Sequence, residues 1–149
     1  MNDYTLLLTE YSNLKERLTD ELIHCKAWHQ IVEQREDNNT INNGVYCCMV
    51  WDLENRVESL VDYVYHFLDE NYLTNQYDEL LQLFHYFTNV RYSVQQKANN
   101  IENGTFNQKI IVNINNVLIK ELTYFLSIGY NHIIKKLQNE YKEQVYKNY

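Results

Sequence analysis

The chain has 149 residues, 45% hydrophobic and 14% aromatic, with 14 Tyr, no Pro and 3 Gly. That is enough apolar material for one packed domain, which excludes a disordered chain, and so few breakers favour long helices. The net charge of −7 is unevenly placed: residues 1–80 carry 16 acidic side chains against 5 basic, and residues 81–149 carry 4 against 8. An acidic field of this kind repels nucleic acid and steers basic macromolecules.

Met1 to Glu10 lacks a basic stretch followed by an apolar core, since Leu6, Leu7 and Leu8 are flanked by Asp3 and Glu10. Apolar runs are broken by charge well before the roughly 18 residues that a bilayer span needs. The three Cys, at 25, 47 and 48, are odd in number and are expected as reduced thiols. These features predict a cytoplasmic protein, in a bacterial or host cell. Asn, Tyr, Ile and Leu are favoured over Ala and Arg, which is the codon bias of an A+T-rich genome such as that of a low-G+C bacterium, its mobile elements or a virus.

In the first segment Tyr4, Leu7, Tyr11, Leu14, Leu18, Leu22, Cys25 and Val32 recur at helical spacing and predict a helix over 3–35. The run Asp37 to Gly44 is polar and rich in turn formers, so the chain reverses there. Met49, Leu53, Val57, Leu60, Val64 and Phe67 predict a second helix over 45–70. Leu80, Leu83, Phe87, Val90, Val94 and Ala98 predict a third over 75–100, followed by a turn at Glu102 to Thr105. Residues 109–114 are β-branched enough for a strand, but no other segment offers a strand partner. Ile114, Leu118, Leu122, Phe125, Ile133 and Leu137 therefore predict a fourth helix over 107–146, with a kink at Gly129. The expected fold is all-α: a single-domain antiparallel bundle of four long helices spanning 1–149.

Motifs with their own chemistry are sparse. Glu21 and His24 have the Glu-x-x-His spacing of a carboxylate-bridged di-metal bundle, but His66, His85 and His132 lack the matching Glu. His24, Cys25, His29, Cys47 and Cys48 supply zinc-type ligands across the first turn, yet adjacent Cys on a helix diverge by about 100° and rarely bind one ion. Cys25 and Cys48 are accordingly expected in the core, with Cys47 on its flank and Trp28 facing Trp51. Three scattered Gly make no phosphate cradle.

Glu54, Glu58 and Asp62 stand one turn apart along the second helix, and like charges so placed repel unless a cation faces them. They are either ligands of a metal-dependent helical enzyme, of the nucleotide pyrophosphatase kind, or part of a docking surface. Tyr side chains interleave with the acids, and Tyr suits interfaces because it brings contact area at low entropic cost. The preferred reading is a non-enzymatic, cofactor-free and metal-free module that inhibits or sequesters a basic protein partner, without nucleic acid or membrane. Its expected contact residues are Glu54, Glu58, Asp62, Tyr65, Asp69 and Glu70, continuing through Tyr72, Tyr77, Asp78 and Glu79. A structural homo-oligomer, such as a homodimer, is the third reading.

Overall fold

The computed structural model describes residues 3–71, 77–102 and 107–147. It contains α1 (Asp3–Asp37), α2 (Asn43–Glu70), α3 (Asp78–Glu102), α4 (Gln108–Tyr124) and α5 (Tyr130–Lys147). A π-helical turn, Phe125–Gly129, joins α4 to α5, so the fourth helix of the bundle is one long bent rod. The segment 109–114 is helical, and the described residues form no strand.

Asparagines set the helix ends. The α1 terminus closes with Thr40 N–H bonded to Arg35 C=O at 2.8 Å and Asn39 N–H to Glu36 C=O at 3.2 Å. This pattern places Asn39 in the left-handed region, at φ 54°. Asn42 then caps α2 by accepting from Val45 N–H at 3.2 Å, and Asn107 caps α4 by accepting from Lys109 N–H at 3.0 Å.

α1, α2, α3 and the α4–α5 rod run alternately up and down, so the rod returns antiparallel along α1. Contact is closest within two pairs, α1 with α4 and α2 with α3. The pairs meet across two looser seams, α1–α2 and α3–α4, and the apolar stripes of all the helices converge between them. Tyr11, Leu14, Leu18, Leu53, Leu60 and Phe87 are fully or almost fully buried there, with Ile111, Leu118 and Ile133 from the bent rod. Tyr11 packs its ring edge-on against Phe67, 5.0 Å between centroids.

Several side chains depart from the expected faces. Cys48 is exposed, and Trp51 is 48% exposed instead of packing on Trp28. Trp28 turns its indole N–H to Asp52 Oδ2 at 2.6 Å, because a buried N–H needs an acceptor that another Trp cannot offer. On α4 the buried line runs through Ile111, Asn115 and Leu118, which leaves Ile114 on the flank toward α3.

Candidate functional site

A polar cluster bridges the α1–α2 seam. Arg56 Nη1 lies 2.5 Å from Glu21 Oε1, and Arg56 Nε lies 2.9 Å from Asp52 Oδ2, the acceptor that Trp28 also uses. The Cys25 thiol donates toward Glu21 at 3.7 Å, and Asn115 Nδ2 donates to the Cys25 carbonyl at 2.9 Å. Burial, followed by the neighbouring Glu21 charge, pushes the Cys25 thiol up to about 11. Burial also raises the Glu21 carboxyl, against the pull of Arg56. The thiol is thereby held in its neutral, unreactive form.

The residues of the three metal readings are engaged elsewhere or stand apart. Glu21 spends its buried oxygen on Arg56, and His24 is exposed. His29 contacts Asn116 at 3.1 Å and Glu33 at 3.3 Å. Glu58 and Asp62 face Arg91 at 3.5 and 4.0 Å, which relieves the repulsion along α2. Among the described residues no three His, Cys, Asp or Glu side chains gather where they could hold a metal ion.

The expected contact residues divide by location. Glu58, Asp62, Tyr65, Asp69 and Glu70 are exposed on α2, and Glu54 is half-buried on the same helix. Tyr65, 55% exposed, stands over a hollow of about 270 Å3 between α2 and α3, floored by Leu68, Leu81 and Phe84 and edged by Asp69 and His85. Asp78 is exposed in the first turn of α3, where a carboxylate suits the helix dipole.

Two other members of the set are not on this face. Tyr77 is only 3% exposed and belongs to the core, where its hydroxyl donates to Glu140 Oε2 at 2.8 Å. Glu79 turns toward the fourth helix and pairs with Lys136 at 3.1 Å. Tyr72 lies outside the described residues.

Leu68, Leu81, Phe84, His85 and Arg91 complete the face and were missed in the sequence. Arg91 was accessible to reasoning, since reflecting the α2–α3 hairpin about its connection puts residue 58 opposite residue 91. The hollow was not, because Phe84 and Leu81 flank the apolar line of α3 and only packing shows which flank stays open. Compared with protein families, curated proteins and solved structures, the chain matches none. Among the described residues no helix is long and apolar enough to cross a membrane.

Proposed function

We propose that this protein is a non-enzymatic binding module that inhibits or sequesters a protein partner with a basic surface through the outer face of α2 and α3. The observation that carries the reading is the placing of Glu58, Asp62 and Asp69 around the exposed Tyr65 ring and its apolar hollow. Such a face offers a cationic side chain both a carboxylate and an aromatic ring. The Arg91 contacts do not cancel it, because Glu58 and Asp62 keep side-chain exposures of 48% and 64% and pairs so exposed are weak. An inhibitor of a host defence protein carried by a phage, plasmid or virus, or an immunity protein that neutralises a toxin, would use this chemistry.

The test is affinity capture from lysate of the source organism or its host, at about 0.05 M and 0.5 M salt, where the Debye length falls to roughly 4 Å. Wild-type protein is expected to retain one basic partner, less at the higher salt. A variant combining Glu58→Lys, Asp62→Lys, Asp69→Lys and Glu70→Lys should lose that partner and keep its circular-dichroism spectrum. Undiminished capture by a folded variant refutes the reading.

A further inference from the structure

The two seams of the bundle are closed differently. Arg56, Glu21, Asp52 and Trp28 fill the α1–α2 seam. On the other side of the bundle Lys136 of α5 pairs with Glu79 of α3, and Glu79 also lines the smaller of two cavities, of about 120 and 230 Å3, along the α3–α4 seam. Tyr86 lines both, so they adjoin along this seam, which is called the α3–α4 groove.

On the α4 side Asn113, Ile114, Val117, Glu121 and Tyr124 line the groove, and a largely apolar stripe runs along the same flank of the rod beyond both ends of it. Ile110, Ile114, Val117, Glu121, Tyr124 and Ile128 follow one another at alternating intervals of four and three, the spacing of a helix–helix seam. Ile110 and Val117 are each 37% exposed, Ile128 is 41% and Tyr124 is 58%. The opposite wall is softer, with Gln82, Asn89 and Ser93 of α3 around Tyr86. Below Tyr124 the π turn displaces the rod: the Tyr130 N–H bonds back to the Phe125 carbonyl, and Phe125 and Gly129 line the lower cavity. Irregular turns of this type recur at functional sites.

Glu121 breaks the apolar stripe near its middle. It is half-buried and has no ion-pair partner among the described residues. Tyr86, Tyr124 and Phe125 line the same lower cavity, as do Gln82 and the Glu79 that Lys136 engages. A half-buried carboxylate that shares a groove with the Tyr86 and Tyr124 rings is complementary to an ammonium or guanidinium group. A second copy of the chain is a poorer occupant. Two α4 stripes paired about a two-fold axis would bury both Glu121 carboxylates near that axis, with no cation in either stripe to separate them.

We propose that the α3–α4 groove is a docking site for an amphipathic helix of a partner protein, with apolar anchors at i, i+4 and i+7 and a Lys or Arg that reaches Glu121 in the cavity it shares with Tyr86 and Tyr124. The groove is separate from the outer face of α2 and α3, so this site stands or falls independently of that face. Binding of this type reads periodic anchors in a preformed groove, and the buried charge fixes the register.

The probe is a synthetic 15-residue peptide of Leu and Lys with Leu at helical 3–4 spacing, alongside a control in which Glu replaces Lys. Each is titrated into the isotope-labelled full chain and followed by amide chemical shifts. The expected result is shifts confined to residues 82–93 and 110–129 with the Lys peptide and none with the Glu peptide. Glu121→Lys and Tyr124→Ala should each weaken that binding by about tenfold or more. Glu58→Lys with Asp62→Lys should leave it unchanged. Tyr124 is exposed, so its variant keeps the readout even if Glu121→Lys unfolds. Shifts centred on Glu58 to Asp69, no shifts at millimolar peptide, equal binding of the Glu peptide, or a dimer in sedimentation that Glu121→Gln tightens would each overturn the proposal.

Discussion

Arg56 of α2 and Glu21 of α1 form an ion pair across the α1–α2 seam, Nη1 to Oε1 2.5 Å, with side-chain exposures of only 13% and 7%. A pair so buried spends most of its attraction on desolvation, and its worth lies in which helix faces it aligns. Removing one partner is another matter, since it strands a charge. Arg56→Met should cost about 3–5 kcal/mol in urea unfolding at neutral pH, whereas Glu21→Leu with Arg56→Met should recover most of that loss. The sign of the pH dependence follows from Glu21. Burial already raises its carboxyl pKa, and loss of the Arg56 charge raises it further. A raised carboxyl contributes stability below its ordinary range and loses it as pH rises through the folded value. The Arg56→Met deficit should therefore shrink between pH 7 and pH 4, and a deficit that grows on acidification would contradict this.

The three thiols should react in a fixed order. Cys48 is exposed, Cys47 is half-buried, and Cys25 is sealed beside Glu21 with its thiol pushed up to about 11. Alkylation of the native chain at pH 8 should label Cys48 first and Cys47 more slowly, leaving Cys25 until denaturant is added. Mass mapping of the labelled sites checks the order, and prompt native labelling of Cys25 would refute it.

Asn39 holds a left-handed backbone, φ 54°, at the end of α1. Only Gly adopts that conformation without a Cβ penalty, so Asn39→Gly should stabilise the fold by about 0.5–1 kcal/mol and Asn39→Val should destabilise it by about 1–2 kcal/mol. Thermal unfolding of both variants should show shifts of opposite sign.

At the π turn, a Cβ added to Gly129 would lie 3.1 Å from the ring of Phe125, itself only 4% exposed. The ring has little room to yield. Gly129→Ala should therefore lose about 1–2 kcal/mol in denaturant unfolding, overpacking outweighing the gain in helix propensity. A more stable variant would mean that the turn can rewind to ordinary α-helix.

Glu79 supplies the opposite pH response. Burial pushes its carboxyl up, but a hydrogen bond from its own amide and the Lys136 ammonium outweigh that and hold it below the ordinary carboxylate value. A depressed carboxyl contributes stability above its unfolded pKa and loses it as pH falls through the folded one. Glu79→Gln should cost up to about 1 kcal/mol at pH 7 and nothing in strong acid, as paired unfolding curves would show.

The element order was legible in the chain because helical periodicity and polar turns are local signals. Helix boundaries fell within a few residues: 3–35 became Asp3–Asp37, and 45–70 became Asn43–Glu70. Gly129 marked the bend, and the charge segregation of residues 1–80 pointed to the α2 carboxylates as surface groups. The sequence did not reveal which flank of each apolar line would be covered, because that depends on the unequal spacing of the four rods. Closure of one seam by Arg56 buried Glu21, while closure of the α2–α3 hairpin buried Tyr77 and set Arg91 before Glu58 and Asp62. The incomplete closure of α3 on α4 left Ile114, Val117, Glu121 and Tyr124 lining an open groove. Periodicity in one helix states that a face is apolar, and only the neighbouring helix, by its distance, decides whether that face becomes core or surface.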